Sequence, residues 1–473
     1  MGIRLGSEYL EGIRDEREVW LEGKRIDDVT ADPQLEGCAK ALAGIYDLQH
    51  EPEHQDLLTM PSPTSGSRVS LGYIEPRSVD DLVRRREMIE FLMRRTGGTA
   101  GRLPEYMASI VVGLYDVRHF LAEVDPAFAT NIADYLEYVR ENDLSLTHSF
   151  ADAPHDARLS RDQFENLRVV EERSEGVVIR GVKSVATLGP YADEYLALAP
   201  NRPGLSSDEI VYFAIPVATP GLRMYCRPSF SNANLANHPL STRFDEMDAW
   251  VIFDNVFVPR ERVFYMQRTE SHRDLLNQIL SWAFYHILIR MACKAEVLAG
   301  IGAAISDYLG KQDQVPVQLA LWELYSYVET LKSFIRRAEA EAITSPSGLV
   351  IPNPVYITLG RTHGVERHPH MLQLVRELSG SGLVMAPGEA EMDNPDIRSD
   401  VSRYLVGPDL RAPERFQLLK LAWEYTSESF GSRQLLFEMH NAGAQLTTQQ
   451  RLARTYDASA HVKLAKQLAG ISE

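Results

Sequence analysis

The segment Arg94-Arg-Thr-Gly97-Gly98-Thr-Ala-Gly101-Arg102-Leu103-Pro104-Glu-Tyr106 sets a guanidinium and a phenol four residues apart across the start of a helix. Three glycines in five positions let backbone approach a ligand closely, and Pro104 suits the first turn of a helix continuing into Ala108-Ser-Ile-Val. Arg102 then lies just before that helix and Tyr106 in its first turn, so both can aim at one point beside the positive helix end. Such a pair suits an oxyanion, a phenolate or a carboxylate. Spacing alone fits equally well a Gly-rich loop whose arginine pairs with a neighbouring acid.

Two further stretches carry candidate chemistry. Leu146-Thr147-His148-Ser149-Phe150 sets an imidazole between small hydroxyl residues, where it can donate a proton in a cleft or be a satisfied buried histidine. Trp282, His286, Ile289, Cys293 and Glu296 share one face at the 3.6 period. An imidazole on that apolar stripe has its charged form disfavoured, which suits a general base near neutrality; a core histidine bonded to backbone fits as well. Thr187, in Lys183-Ser-Val-Ala-Thr187-Leu-Gly-Pro190, offers a hydroxyl at a strand end, as an ordinary turn also does.

Other motifs fail on their context. Gly300-Ile-Gly302 lacks the third glycine of a dinucleotide loop and follows a helical stretch where a strand is needed, so small residues for helix packing is the reading. His363, His368 and His370 have no carboxylate or thiol at ligand spacing, and Pro369 interrupts the helix that would fix them; a solvent-facing loop without metal is expected. HExxH, P-loop and Gly-x-Ser-x-Gly patterns are all absent from the sequence.

These residues must be positioned by 473 residues whose length suggests about three domains. With 49 basic and 66 acidic side chains the formal charge is −17, which argues against nucleic acid or an anionic membrane as partner. Three separated cysteines (Cys38, Cys226, Cys293) exclude a disulfide scaffold. The sequence opens without an apolar signal core and has no long uncharged apolar run, so a cytoplasmic enzyme is expected. Helical rhythm from Glu8 to about Asp143 gives way to short strands between Leu144 and Met266. Helical stripes return after His272, at Leu275–Leu298, Gln318–Ala342, Pro369–Leu378 and Arg415–Phe437. The order is α+β and multidomain, with a compact antiparallel barrel or sandwich between helical parts.

Taken together, Thr96 to Tyr106, Leu146-Thr-His148, Pro239-Leu-Ser-Thr-Arg-Phe-Asp245-Glu-Met-Asp248-Ala-Trp-Val-Ile-Phe-Asp254-Asn-Val-Phe-Val-Pro259 and Glu377-Leu-Ser-Gly-Ser-Gly382 resemble the 4-hydroxyphenylacetate 3-hydroxylase oxygenase family. The resemblance covers almost the whole chain, and the Arg-Phe-Asp-Glu to Val-Pro block is its most specific part. It implies an acyl-CoA-dehydrogenase-like architecture: an N-terminal helical domain (1–143), a middle β-barrel (144–267) and a C-terminal four-helix bundle with a flavin-closing tail (268–473), assembled as a homotetramer. It also implies a two-component monooxygenase. A separate flavin reductase supplies FADH2 by diffusion, O2 forms a C4a-hydroperoxyflavin, and an oxygen atom enters a phenol ortho to its hydroxyl.

By the same resemblance, Arg102, Tyr106 and His148 contact the phenolic oxygen and the flavin, and His286 is the phenol base. His148, Ser149, Phe150, Pro154, His155, Asp156, Ala157 and Thr187 line FAD, with Asn441-Ala442-Gly443-Ala444 closing on it. Leu103, Pro104, Ala199 and Pro200 belong to the substrate side; Ala199-Pro200 stands where relatives often place Ser or Thr, which speaks against 4-hydroxyphenylacetate itself. The competing reading is an acyl-CoA-type flavoenzyme on the same fold. For its iron–sulfur dehydratase form, His286 and Cys293 keep the ligand spacing, but Thr96 to Tyr106 contains no cysteine to complete a cluster. No metal is expected.

Overall fold

The computed structural model describes residues 2–156, 158–160, 163–202, 204–269, 272–405, 412–441 and 445–471. Its strands are, in chain order, β1 (Glu18–Leu21), β2 (Lys24–Ile26), β3 (Thr59–Pro61), β4 (Arg68–Ser70), β5 (Leu146–Ser149), β6 (Arg168–Arg173) and β7 (Gly176–Thr187). They continue as β8 (Glu194–Ala197), β9 (Val211–Pro216), β10 (Leu222–Cys226), β11 (Asp248–Pro259), β12 (Val263–Met266), β13 (Ile343–Thr344) and β14 (Val350–Ile351).

The middle segment does not form the expected antiparallel barrel. Its strands divide between a six-stranded sheet, ordered β2-β1-β10-β11-β7-β6, and a four-stranded sheet, β12-β9-β8-β5, and neither closes. The reason lies in who occupies the edges. β1, from the N-terminal segment, pairs in parallel with β10 and extends that sheet outward, and β5 pairs in parallel with β8. Each sheet is left with two open edges, β2 and β6 in one and β12 and β5 in the other, and these do not pair to close a ring. The N-terminal segment is therefore not wholly helical either: β1, β2 and the β3–β4 hairpin interrupt it.

Helices carry the rest. Ser78 and Asp81 form a reciprocal capping box that starts the helix Val79–Arg95, and Pro104 occupies the first turn of Pro104–Asp116. After the sheets, the helices His272–Tyr308, Val315–Ala340 and Pro354–Ser379 pack on one another. Gly302 belongs to this packing: a Cβ there would lie 2.8 Å from Leu324 Cδ1. The segment Arg415–Phe437 is two helices, Ala412–Thr426 and Ser429–Asn441, where one was expected.

The loop expected around His363 to His370 is instead continuous helix, Pro354–Ser379, running through Pro369. Pro369 costs one backbone hydrogen bond, but it faces solvent while Met371, Leu372 and Val375 are buried on the opposite side, so packing overrides the local penalty. His368 is buried and His370 bonds Glu323 at 2.9 Å. Among the described residues no helix is long and apolar enough to cross a membrane.

Candidate active site

The Gly-rich loop ends the Val79–Arg95 helix. Gly97 and Gly98 take φ of +60° and +70°, and Gly98 N–H reaches back to Met93 O at 2.7 Å, the left-handed exit that glycine supplies at least cost. What these glycines approach is the protein's own helices. A Cβ on Gly98 would fall 2.7 Å from Lys294 Cγ, and one on Gly101 would fall 2.6 Å from the ring of Phe437. The loop's carbonyls are held by the C-terminal helices: Tyr425 Oη–H donates to Gly97 O at 2.7 Å and Gln434 Nε2–H to Thr99 O at 2.9 Å.

Arg102 emerges from this loop buried, with Cζ 4.0 Å from the centroid of Tyr106 and 5.1 Å from that of Phe437. Its Nη2 donates to Asn441 Oδ1. Burial, and then the neighbouring charge of Arg290, lower its pKa while Tyr106 opposes them. Tyr106 lies between two imidazoles, 5.8 Å from His148 and 5.1 Å, edge-on, from His286. His148, on β5, is held well below the usual histidine range by burial and then by Arg102, so it is neutral at physiological pH. His286 is lowered by burial, partly offset by Glu105, whose Oε1 lies 3.1 Å from Nε2.

A cleft of about 350 Å³ opens beside these groups, lined by Arg102, His148, Ser149, Phe150 and Ala151, by Ser184, Val185 and Thr187 of β7, by Asp248, and by Arg433, Leu436, Phe437, His440 and Asn441. The sequence reading located Arg102, His148, Ser149, Phe150, Thr187 and Asn441. It gave no role to Asp248, although that residue lies in the Pro239 to Pro259 block, or to Arg433, Leu436, Phe437 and His440, which no local motif marks. Tyr106 and His286 form a buried layer behind the cleft. Leu103 and Pro104 line two small cavities on the N-terminal side instead. Ala199 and Pro200 are buried away from the lining, and Pro200 O accepts from His272 Nε2 at 2.9 Å. Pro154, His155 and Asp156 form an exposed irregular segment in which His155 stacks on Phe164 at 4.2 Å, outside the cleft. Ala157 and Ala442 to Ala444 lie outside the described residues.

Four nitrogens at the cleft are buried with no hydrogen-bond partner among the described residues: Arg102 Nε, His148 Nδ1 and Nε2, and Asn441 Nδ2. An unsatisfied buried group of this kind costs about 1–3 kcal/mol unless a ligand meets it. Three of the four can donate a proton, namely Arg102 Nε, Asn441 Nδ2 and one nitrogen of neutral His148, while Thr187 Oγ1 on the same wall already donates to Asp248 Oδ1 at 2.7 Å. A flat heterocycle edged with carbonyls and ring nitrogens, as in FAD, fits both the volume and this donor set. An iron–sulfur site is not assembled: among the described residues, the groups close enough to share a metal are Glu51, Glu53 and His54, and His238, Glu424 and Glu428, which include neither His286 nor Cys293.

A crystal structure of the oxygenase component of 4-hydroxyphenylacetate 3-monooxygenase, complexed with FAD and 4-hydroxyphenylacetate, superimposes with a TM-score of 0.93 at 29% identity, covering 98% of each chain. An archaeal 4-hydroxybutyryl-CoA dehydratase from N. maritimus shares the fold, with a TM-score of 0.89 at 21% identity over 100% of this chain and 96% of that one. A Rhodococcus opacus relative, the oxygenase component of 4-nitrophenol 4-monooxygenase/4-nitrocatechol 2-monooxygenase, is 33% identical over 100% of this chain and 92% of its own. A Streptomyces globisporus relative, the (3S)-3-amino-3-(3-chloro-4-hydroxyphenyl)propanoyl-[peptidyl-carrier protein SgcC2] monooxygenase, is 32% identical over 96% of this chain and 88% of its own. Fold and site define a flavin-dependent monooxygenase of acyl-CoA-dehydrogenase-like architecture, with FAD as its cofactor. The family models for 4-hydroxyphenylacetate 3-hydroxylase match residues 5–265 (N terminal) and 277–470 (C terminal), and the chain belongs to that family.

Proposed function

We propose that this protein hydroxylates a phenol ortho to its hydroxyl group, using FADH2 delivered by a separate reductase. The observation that carries the reading is the convergence of four unpaired buried nitrogens, from Arg102, His148 and Asn441, on one cleft beside Tyr106. Reduced FAD, when bound, supplies the oxygen chemistry: one atom of O2 enters the ring and the other leaves as water.

The chain's own residues do the rest. Arg102 places a fixed positive charge where a phenol oxygen gains phenolate character, which raises electron density at the ortho carbon. Neutral His148 offers one donor and one acceptor nitrogen to the cleft. In His286, Nε2 points at Glu105, a hydrogen-bond acceptor, so Nε2 carries the proton and Nδ1 keeps its lone pair. That nitrogen is the base we assign to the phenol proton, with the Tyr106 ring between it and Arg102. The Ser429–Asn441 helix covers the cleft with Phe437 and excludes water that would release peroxide.

The name of the Streptomyces globisporus relative describes a carrier-tethered aryl substrate. The cleft here is rimmed by exposed Val185, Leu436 and His440, which leaves a path for a tether, so a phenol presented on a carrier is included with free phenols. Val315, Leu319 and Trp322 form an exposed apolar stripe on one helix, which supports assembly of copies into a tetramer. We place the protein in the cytoplasm, beside a source of NADH. The test is reconstitution of purified protein with free FAD, a reductase, NADH and a phenol panel. Catechol formation supports the reading; flavin oxidation yielding only peroxide with every phenol contradicts it.

A further inference from the structure

Asp245-Glu246-Met-Asp248 lies inside the sequence block most specific to the family, yet the chemistry above gives Glu246 no task. Glu246 is almost fully buried. One carboxylate oxygen, Oε2, accepts from the backbone N–H of Gly101 at 2.7 Å and of Arg102 at 3.1 Å. The other, Oε1, accepts from Arg433 Nη1 at 2.7 Å. Arg433 also forks onto Asp248, with Nη2 to Oδ1 at 2.6 Å and Nε to Oδ2 at 2.9 Å, and Asp248 Oδ1 accepts from Thr187 Oγ1 at 2.7 Å. Arg433 and Asn441 stand on the same helix, and Asn441 accepts from the Arg102 guanidinium.

The contacts form a closed ring: Glu246 to the Arg102 backbone, the Arg102 guanidinium to Asn441, along the helix to Arg433, and back to Glu246. We propose that Glu246 is a positioning residue for Arg102, tying its backbone to the covering helix through Arg433 and to the β7 wall of the cleft through Asp248. The proposal rests on the functional reading above. Charge complementarity supports it: among the described residues no carboxylate pairs with the Arg102 side chain, so the guanidinium is kept for a ligand while Glu246 holds its main chain. A carboxylate is needed because both of its oxygens face donors; an amide would turn its NH2 against either the loop N–H groups or Arg433.

The test is Glu246→Gln, with Arg433→Lys as a second variant should the first not fold, since lysine carries the charge but cannot fork onto two acids. Three quantities are compared with wild type: hydroxylated product per FADH2 oxidised, the Kd for reduced FAD, and the Kd of flavin-free protein for 4-nitrophenolate followed by absorbance. Product yield is expected to fall about tenfold or more in either variant, with nitrophenolate binding weakened, because a small displacement of Arg102 misaligns the ring. A folded variant with wild-type yield and wild-type nitrophenolate affinity overturns the inference. Should wild type itself hydroxylate no phenol, the functional reading falls. The nitrophenolate titration then decides alone: weakened binding in Glu246→Gln upholds the positioning role and unchanged binding overturns it.

Discussion

The guanidinium carbon of Arg102 stacks 4.0 Å from the centroid of Tyr106, while its Nε has no hydrogen-bond partner among the described residues and its Nη2 holds Asn441. Planarity matters here, since a flat cation can lie on a phenol ring and still direct N–H groups sideways into the cleft. Replacing Arg102 by Lys keeps a charge but loses the stack and the fork. Product per flavin oxidised is expected to fall by about 10- to 100-fold, equivalent to ~1.4–2.8 kcal/mol of barrier, while flavin oxidation continues as peroxide release. Parallel measurement of product and peroxide checks it.

His148 presents two buried nitrogens with no hydrogen-bond partner among the described residues, a cost to the fold that a ligand can remove. His148→Phe removes those polar atoms and keeps the bulk. Thermal stability without flavin should rise or stay within about 1 kcal/mol, since burying an unsatisfied polar group is unfavourable. Reduced-FAD affinity and product yield should both drop. A variant that loses stability but binds FADH2 normally would make His148 a core residue only.

Val185 is a β-branched residue at φ +56° in a bulge of β7, where Ser184 and Val185 together oppose Trp250, and its side chain is half exposed on the cleft rim. Left-handed backbone at such a residue costs on the order of 1–3 kcal/mol and persists where function holds it. Val185→Gly should therefore stabilise the fold by about 1 kcal/mol, net of glycine's greater unfolded-state freedom, yet weaken flavin binding. Denaturant unfolding and a flavin titration on the same preparation give both values.

His368 is buried, and its pKa is pushed down to about 4, by burial first and then by Lys294, with Glu438 opposing. The folded state resists protonation while the unfolded chain takes a proton near pH 6.5, so ν(U) exceeds ν(N) between those values. Its contribution is present above pH 6.5 and is lost as pH falls towards 4. Relative to His368→Gln, wild type should lose stability more steeply in that window, by about 1.4 kcal/mol per pH unit for one proton. Unfolding curves of both proteins from pH 7 to pH 4 measure the difference, and parallel slopes would contradict it.

Much of this was legible in the sequence because local physics decides it. The Pro104 helix start, the strands around β7 and β11, and the helix holding His286 follow from turn chemistry and periodicity, and the structure has them, although that helix is buried on every face around His286 and not along one stripe. The barrel was misread because closure depends on which distant segment pairs an edge, and β1 lies about two hundred residues from β10. The helix through Pro369 was misread because tertiary packing outweighed a local breaker. Arg102 stood out by its Gly-rich loop and its spacing to Tyr106, and His148 by its place between small hydroxyl residues. Arg433 did not, because a charge that finds its partner only in three dimensions looks in sequence like any solvated residue; Asp248 was visible within the family block, but not as the partner of Arg433.

The most direct test of the central claim is a single turnover under ¹⁸O2: protein, stoichiometric FADH2 prepared without reductase, and a phenol, with products read by mass spectrometry. A catechol carrying one ¹⁸O atom is expected, formed in near proportion to flavin oxidised. Oxidised flavin with unlabelled phenol and labelled hydrogen peroxide alone, for every phenol and carrier-bound aryl tried, would contradict it.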